Sequence, residues 1–271
     1  MKHSILKLLA VIFASLTLIA CGSEAADGNI KVGVISGPEA DLMKVAQTIA
    51  KKNDGVTMEI IEFSDYSIPN TALNDGSIDA NVFQHLPYLE AAKKSQKFKL
   101  SVIGKTFIYP MGMYSKKVEK LADLENKATV AIPNDPSNEA RALLLLQDAG
   151  LIKLKQDVGF AATPRDIIDN PKSLRIQPID AAQLPRVLQD VAIAIINSNY
   201  AVPAGLLPNR DALHLESGDS PYANIIVVRA GEENRPEFIA LVKALNSPEI
   251  IEKAKAIFQN QAVPAWDTEN N

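Results

Sequence analysis

Along this chain, short apolar runs alternate with stretches whose apolar residues recur every three or four positions. Residues 30–34 (Ile30-Lys31-Val32-Gly33-Val34) alternate and predict a strand. After Pro38, the residues Leu42, Val45, Ala46 and Ile49 fall on one helical face. Residues 56–63 and 78–83 read as strands, with the turn residues Asn74-Asp75-Gly76 before the second. A helix over 87–95 and a strand over 100–107 follow, and a second unit starts after Tyr109-Pro110-Met111-Gly112. There, 128–132 reads as a buried strand. Asp135-Pro136 fits N-cap and first position of a helix reaching Ala149, with Gly150 just past its end. Residues 174–179, 191–196 and 224–228 read as further strands, and helices over 236–245 and 248–258 close the chain. The run 191–196 is apolar on both faces, as in a central parallel strand. Strands alternating with helices predict an α/β fold with parallel pairing, and leave open whether there is one sheet or two.

One apolar run fits neither pattern. Lys2, His3 and Lys7 lead into thirteen uncharged residues, 8–20, and small residues follow around Cys21. A charged start, a short apolar stretch and small residues at the end form a secretory signal. Thirteen helical residues rise only about 20 Å, short of the ~30 Å hydrocarbon core, so the segment reads as removed rather than spanning. Its end, Leu18-Ile19-Ala20-Cys21, resembles the bacterial lipobox, whose cysteine becomes a lipidated N-terminus. Cys21 is the only cysteine of the chain. The expectation is a signal at 1–20, lipidation at Cys21, and a polar tether over 21–29.

About 250 residues remain after Cys21, enough for one large domain or two modest ones. Removing Lys2 and Lys7 from the 28 basic residues leaves 26 against 32 acidic, a net charge of -6. That balance argues against nucleic-acid binding. With one cysteine there is no intrachain disulfide, and a lipidated thiol is no catalyst or metal ligand.

Catalytic constellations are missing as well. Beyond His3 the chain has only His85 and His214, neither at a metal-ligand spacing, so no metal is expected. No nucleophile elbow, dinucleotide fingerprint or phosphate loop occurs, so the reading is no enzyme and no cofactor. The segment Asn81-Val82-Phe83-Gln84-His85-Leu86-Pro87-Tyr88 is more suggestive. It gathers two aromatics and an imidazole at a strand end, where ligands bind in open α/β sheets. Taken alone, Phe83 and Tyr88 could equally be core residues, with His85 a satisfied hydrogen-bond partner.

Four segments resemble the methionine-binding lipoproteins of the MetQ (NlpA) family. They are Phe63-Ser64-Asp65-Tyr66, Ile78-Asp79-Ala80-Asn81-Val82-Phe83-Gln84-His85, Ala131-Ile132-Pro133-Asn134-Asp135-Pro136-Ser137-Asn138 and Ser220-Pro221-Tyr222-Ala223-Asn224. The resemblance runs from Ile30 to about Trp266 and includes the lipobox.

The resemblance implies a periplasmic-binding-protein-like fold, two α/β lobes with a ligand cleft and two crossover hinges. It places lobe 1 at 30–110 plus 226–271 and lobe 2 at 113–222. By the same resemblance Tyr66, Phe83, His85 and Tyr88 surround a methionine side chain, Arg141 grips its carboxylate, and Asn197 and Asn224 hold the polar head. Asn138, near the start of the Arg141 helix, is a weaker candidate. Each has a plainer alternative, Arg141 as a surface arginine and Asn197 as a turn residue among them.

The implied role is a lipid-anchored binding protein that delivers methionine to an ABC importer, with permease and ATPase subunits as partners. L-methionine is the expected ligand, with D-methionine open. A methionine-containing dipeptide and a surface lipoprotein acting through protein contacts are the alternatives. The expected place is the cell envelope, with the anchoring membrane and surface exposure left open.

Overall fold

The structure, a computed structural model, describes residues 28–267. The expected signal, the lipidation site Cys21 and most of the tether lie outside the described residues. The chain begins as β1 (Asn29–Ile35), α1 (Pro38–Asp54), β2 (Thr57–Phe63), α2 (Pro69–Asn74), β3 (Ala80–His85), α3 (Leu86–Gln96) and β4 (Leu100–Ile108). It then enters a second sheet through β5 (Gly112–Tyr114) and β6 (Thr129–Pro133). There follow α4 (Pro136–Asp148), the hairpin of β7 (Lys153–Leu154) and β8 (Ile167–Asp169), and β9 (Arg175–Ile179). The same unit continues with α5 (Leu184–Val187), β10 (Ile193–Ile196), α6 (Ser198–Ala201), α7 (Pro208–Asp211) and β11 (His214–Leu215). The return leg is β12 (Ala223–Arg229), α8 (Pro236–Leu245), α9 (Pro248–Phe258) and β13 (Val263–Pro264).

Two main sheets result. One has the order β13-β4-β12-β3-β1-β2, the other β11-β5-β10-β6-β9. In the first, Ile30, Val32 and Val34 of β1 pack with Leu42, Met43 and Ala46 of α1, and with Phe238 and Leu241 of α8 and Phe258 of α9. A separate cluster of Leu73, Ile78, Leu89, Ile225 and Val227 fills in under α2 and α3. In the second sheet the doubly apolar strands serve two cores. Val130 and Ile132 of β6 and Ile193 and Ile195 of β10 join Leu143 and Leu146 of α4, while Ala131, Ala194 and Ile196 join Tyr114, Leu184 and Leu188. That division is why 191–196 carries no polar face: each of its sides is a core, and each fully buried Ile contributes about 1.5–3 kcal/mol.

Pairing is mixed rather than all parallel. β1 runs parallel to β2 and β3, and β6 parallel to β9 and β10. β12 is antiparallel to β3 and β4, and β5 antiparallel to β10 and β11. The reason is where the chain enters. β5 and β12 are the first strands of each sheet reached from the other, so they start at the cleft, where the parallel strands end. Accordingly Gly112 opens β5 opposite Ile196, the last residue of β10, and Asn224 in β12 lies opposite His85, the last residue of β3. β3 also sits two residues later than 78–83, because Ile78 is spent in the cluster beneath α2 and the strand stays buried through His85.

Candidate ligand-binding cleft

The connections at 109–111 and 216–222 are the two passages between the sheets, and the cleft lies beside them. It is built at the carboxyl ends of β1, β3, β6 and β10, where an open parallel sheet leaves side chains and helix N-termini facing a crevice. Tyr66, Phe83, Gln84, His85, Tyr88, Tyr109, Asn138, Arg141, Asn197, Ser198, Asn199 and Asn224 line one cavity there. All seven residues singled out from the sequence fall on that lining, as does Asn138.

One end is made of rings. Tyr66 follows β2, Phe83 is on β3, and Tyr88 is in the first turn of α3. Tyr66 and Phe83 have centroids 5.9 Å apart, Phe83 and Tyr88 5.7 Å, and Tyr66 and Tyr200 4.9 Å. The Tyr88 hydroxyl donates to the Tyr66 carbonyl at 2.8 Å, fixing the two rings relative to each other. His85 caps α3, its Nδ1 accepting from the Tyr88 amide at 3.2 Å. Burial and the Arg141 charge push the His85 pKa down to about 3, so the ring is neutral near pH 7. With Nδ1 accepting, the proton sits on Nε2, which donates to Asn138 Oδ1 at 3.2 Å.

The other end is polar. Asp135 caps α4 by accepting from the Asn138 amide at 2.9 Å, and it also accepts from Asn138 Nδ2 at 2.9 Å. Asn138 Oδ1 in turn accepts from Asn197 Nδ2 at 2.9 Å. Asn197 Oδ1 is buried with no protein donor among the described residues. A buried acceptor in that condition costs about 1–3 kcal/mol unless a donor reaches it. Arg141, on the next turn of α4, is 4% exposed. Its Nε and Nη2 bond Glu216 at 3.0 and 2.5 Å, Nη2 also bonds the Tyr109 carbonyl at 3.0 Å, and its guanidinium lies 4.5 Å from the centroid of the Tyr222 ring. Asn224 donates to Glu39 Oε1 at 2.7 Å.

Three residues of this network were not singled out from the sequence. Glu39, in the first turn of α1, is buried, and burial raises its pKa to about 8 against the hydrogen bonds from Asn224 and Asn199. Asn199 donates to Glu39 at 3.4 Å and accepts from the Tyr66 hydroxyl at 2.6 Å. Glu216 sits in a connection. No sequence signal separates these: acids are ordinary in a first helical turn, and a glutamate before Ser-Gly reads as loop. Hydrogen bonds from Tyr66 to Asn199, from Asn199 to Glu39 and from His85 to Asn138 join elements of the two sheets, so the arrangement is closed.

Among the described residues, no group of three or more His, Cys, Asp or Glu is gathered to hold a metal, and no helix is long and apolar enough to cross a membrane. Two α/β lobes, two connecting passages and a closed cavity with one aromatic and one polar end define a substrate-binding protein. The NlpA lipoprotein family model matches residues 30–266, and the chain belongs to that family. It is 46% identical over 269 residues to the probable D-methionine-binding lipoprotein MetQ of Vibrio cholerae, covering 98% of this chain and 100% of that one. It is 45% identical over 261 residues to the D-methionine-binding lipoprotein MetQ of Escherichia coli K12, covering 95% and 96%. A solved structure of a nutrient-binding protein from Burkholderia cenocepacia bound to methionine is 50% identical, covers 88% of this chain and 100% of that one, and has a TM-score of 0.86. The family is one of binding proteins and not of enzymes, and its lipoproteins belong to the cell envelope.

Proposed function

We propose that this protein captures methionine in the cleft and delivers it to an ABC importer. The observation that carries the reading is the division of one small cavity into a ring-lined end and a polar end holding Arg141 and the unpartnered Asn197 oxygen. A methionine has matching halves. Its thioether would lie among Tyr66, Phe83 and Tyr88, at about 0.3–1.5 kcal/mol per sulfur–aromatic contact, and burying the tail adds about 1.5–3 kcal/mol. Its carboxylate would meet Arg141, and its ammonium would satisfy Asn197 Oδ1, at about 1.5–3 kcal/mol for each charge-assisted bond. Asn224 and Asn138 would hold the head in place through amides that both donate and accept. Together such terms suffice for micromolar affinity, about 8 kcal/mol, if the lobes are preorganised. Neutral His85 suits this arrangement, because a cation there would repel Arg141.

Lobe 1 would comprise 30–110 plus 226–271 and lobe 2 113–222, which sheet membership supports save that β5 starts at Gly112 and β12 at Ala223. Residues 1–20 would be removed, and the tether 21–29 would hold the protein to the envelope membrane through lipid on Cys21, leaving the permease and ATPase subunits to draw on the cleft. Competition between L-methionine, D-methionine and glycyl-methionine for the ligand-stripped protein tests the ligand. Tighter binding of the dipeptide than of methionine would overturn this assignment.

A further inference from the structure

Glu216 receives four hydrogen bonds from three different parts of the cleft. Its Oε1 accepts from Arg141 Nε and from Ser220 Oγ, both at 3.0 Å. Its Oε2 accepts from Arg141 Nη2 at 2.5 Å and from the Met111 amide at 3.1 Å. Met111 belongs to the outgoing connection between the lobes, and Ser220 to the returning one. Arg141 strengthens the tie by donating from Nη2 to Tyr109, also in the outgoing connection, and by stacking on Tyr222 at the end of the returning one. One carboxylate therefore joins both passages to the arginine of the cleft. The side chains of the pair are 4% and 13% exposed, so little water screens them.

Three consequences follow from this geometry. Nε and Nη2 are fixed by Glu216, so the guanidinium plane is set before a ligand arrives, while Nη1 takes no part in these bonds. The pair is also electrically balanced, which suits a zwitterion that itself carries no net charge. Any change in the angle between the connections must move Met111, Ser220 or both, and so alter how Glu216 holds Arg141. We propose that Glu216 is a positioning residue that aims Arg141 at the ligand carboxylate and couples its aim to the two connections between the lobes. This rests on the reading of Arg141 as the carboxylate-binding residue.

The test is a double-mutant cycle on the ligand-stripped protein, with L-methionine affinity measured by calorimetric titration for wild type, Glu216→Gln, Arg141→Ala and the double variant. Gln keeps the size and one acceptor oxygen, so it preserves the fold where Ala would endanger it, and thermal unfolding verifies that. Glu216→Gln is expected to weaken methionine by about tenfold or more, within the roughly 5–150-fold range of coupling between sites. In the Arg141→Ala background the same change is expected to move affinity less than about twofold, because nothing is left to aim. An equal loss in both backgrounds would mean a general structural role and overturn the proposal, as would wild-type affinity in Glu216→Gln. If Arg141→Ala alone leaves affinity intact, the carboxylate reading fails and this inference goes with it. If Arg141→Ala weakens binding while Glu216→Gln keeps the wild-type affinity, only this inference falls.

Discussion

The two ends of the cleft are assembled in opposite ways. The ring end comes mainly from one short stretch, with Phe83, His85 and Tyr88 within six residues of each other and Tyr66 laid across them. The polar end is gathered from α1, α4, the end of β10, the two connections and β12, with Glu39, Arg141 and Glu216 far apart in sequence. A contiguous wall is held by local geometry, the β3 end and the α3 cap. A dispersed one is held by its hydrogen bonds, and so depends on how the lobes meet. The ring end should therefore answer to substitution through packing, and the polar end through coupling and closure.

The largest effect is expected at the polar end. Arg141→Ala should weaken methionine by about a hundredfold or more, in line with roughly 1.5–3 kcal/mol for each charge-assisted bond. It should also cost about 3–5 kcal/mol of stability, because Glu216 keeps a buried charge without its partner. Titration calorimetry and chemical unfolding read the two losses, and unchanged affinity would remove Arg141 from ligand binding. At the ring end, Phe83→Ala should lower stability by a comparable 3–5 kcal/mol through the cavity it leaves, yet weaken methionine only by about tenfold. Alanine as ligand should be nearly unaffected. Equal losses for both ligands would show that Phe83 does not face the side chain.

Acid and base should separate the ends again. Glu39 has its pKa raised to about 8 by burial, so its contribution to stability is complete below the unfolded value near 4.5 and is lost as pH rises through 8. His85 is depressed to about 3, so its contribution is present above the unfolded value near 6.5 and is lost as pH falls below it. Wild-type thermal stability should thus peak at intermediate pH. Glu39→Gln should flatten the alkaline side only, and a profile that keeps its alkaline slope in that variant would contradict the assignment. The smallest effect is expected for Tyr88→Phe, which loses the bond to the Tyr66 carbonyl, about 0.5–1.5 kcal/mol of stability, while keeping the ring.

The same contrast explains what could be read from the sequence. Helices 236–245 and 248–258 were legible because each opens on a proline and carries an apolar face with helical period. The strands of two or three residues, β5, β7, β8, β11 and β13, were not, since only a partner strand defines them. Strand direction was also hidden: periodicity reports which side of a strand is buried and is silent on where the chain came from, so β12 read as one more parallel strand. In the cleft, rings next to an imidazole at a strand end stood out locally. Glu39, Asn199 and Glu216 did not, because what distinguishes them is burial and distant partners, 75 residues away for Glu216 and Arg141 and more than a hundred for Glu39 with Asn199 and Asn224. The family resemblance could point to Arg141, but not to the carboxylate that holds it.

The most direct test is a calorimetric titration of the soluble chain 22–271, stripped of bound ligand by unfolding and refolding, with L-methionine and then with each other amino acid. The account predicts one saturable site of micromolar or tighter affinity for methionine, and at about 100 times the dissociation constant a stabilisation of roughly 2.7 kcal/mol. No heat and no stabilisation with any amino acid would contradict it.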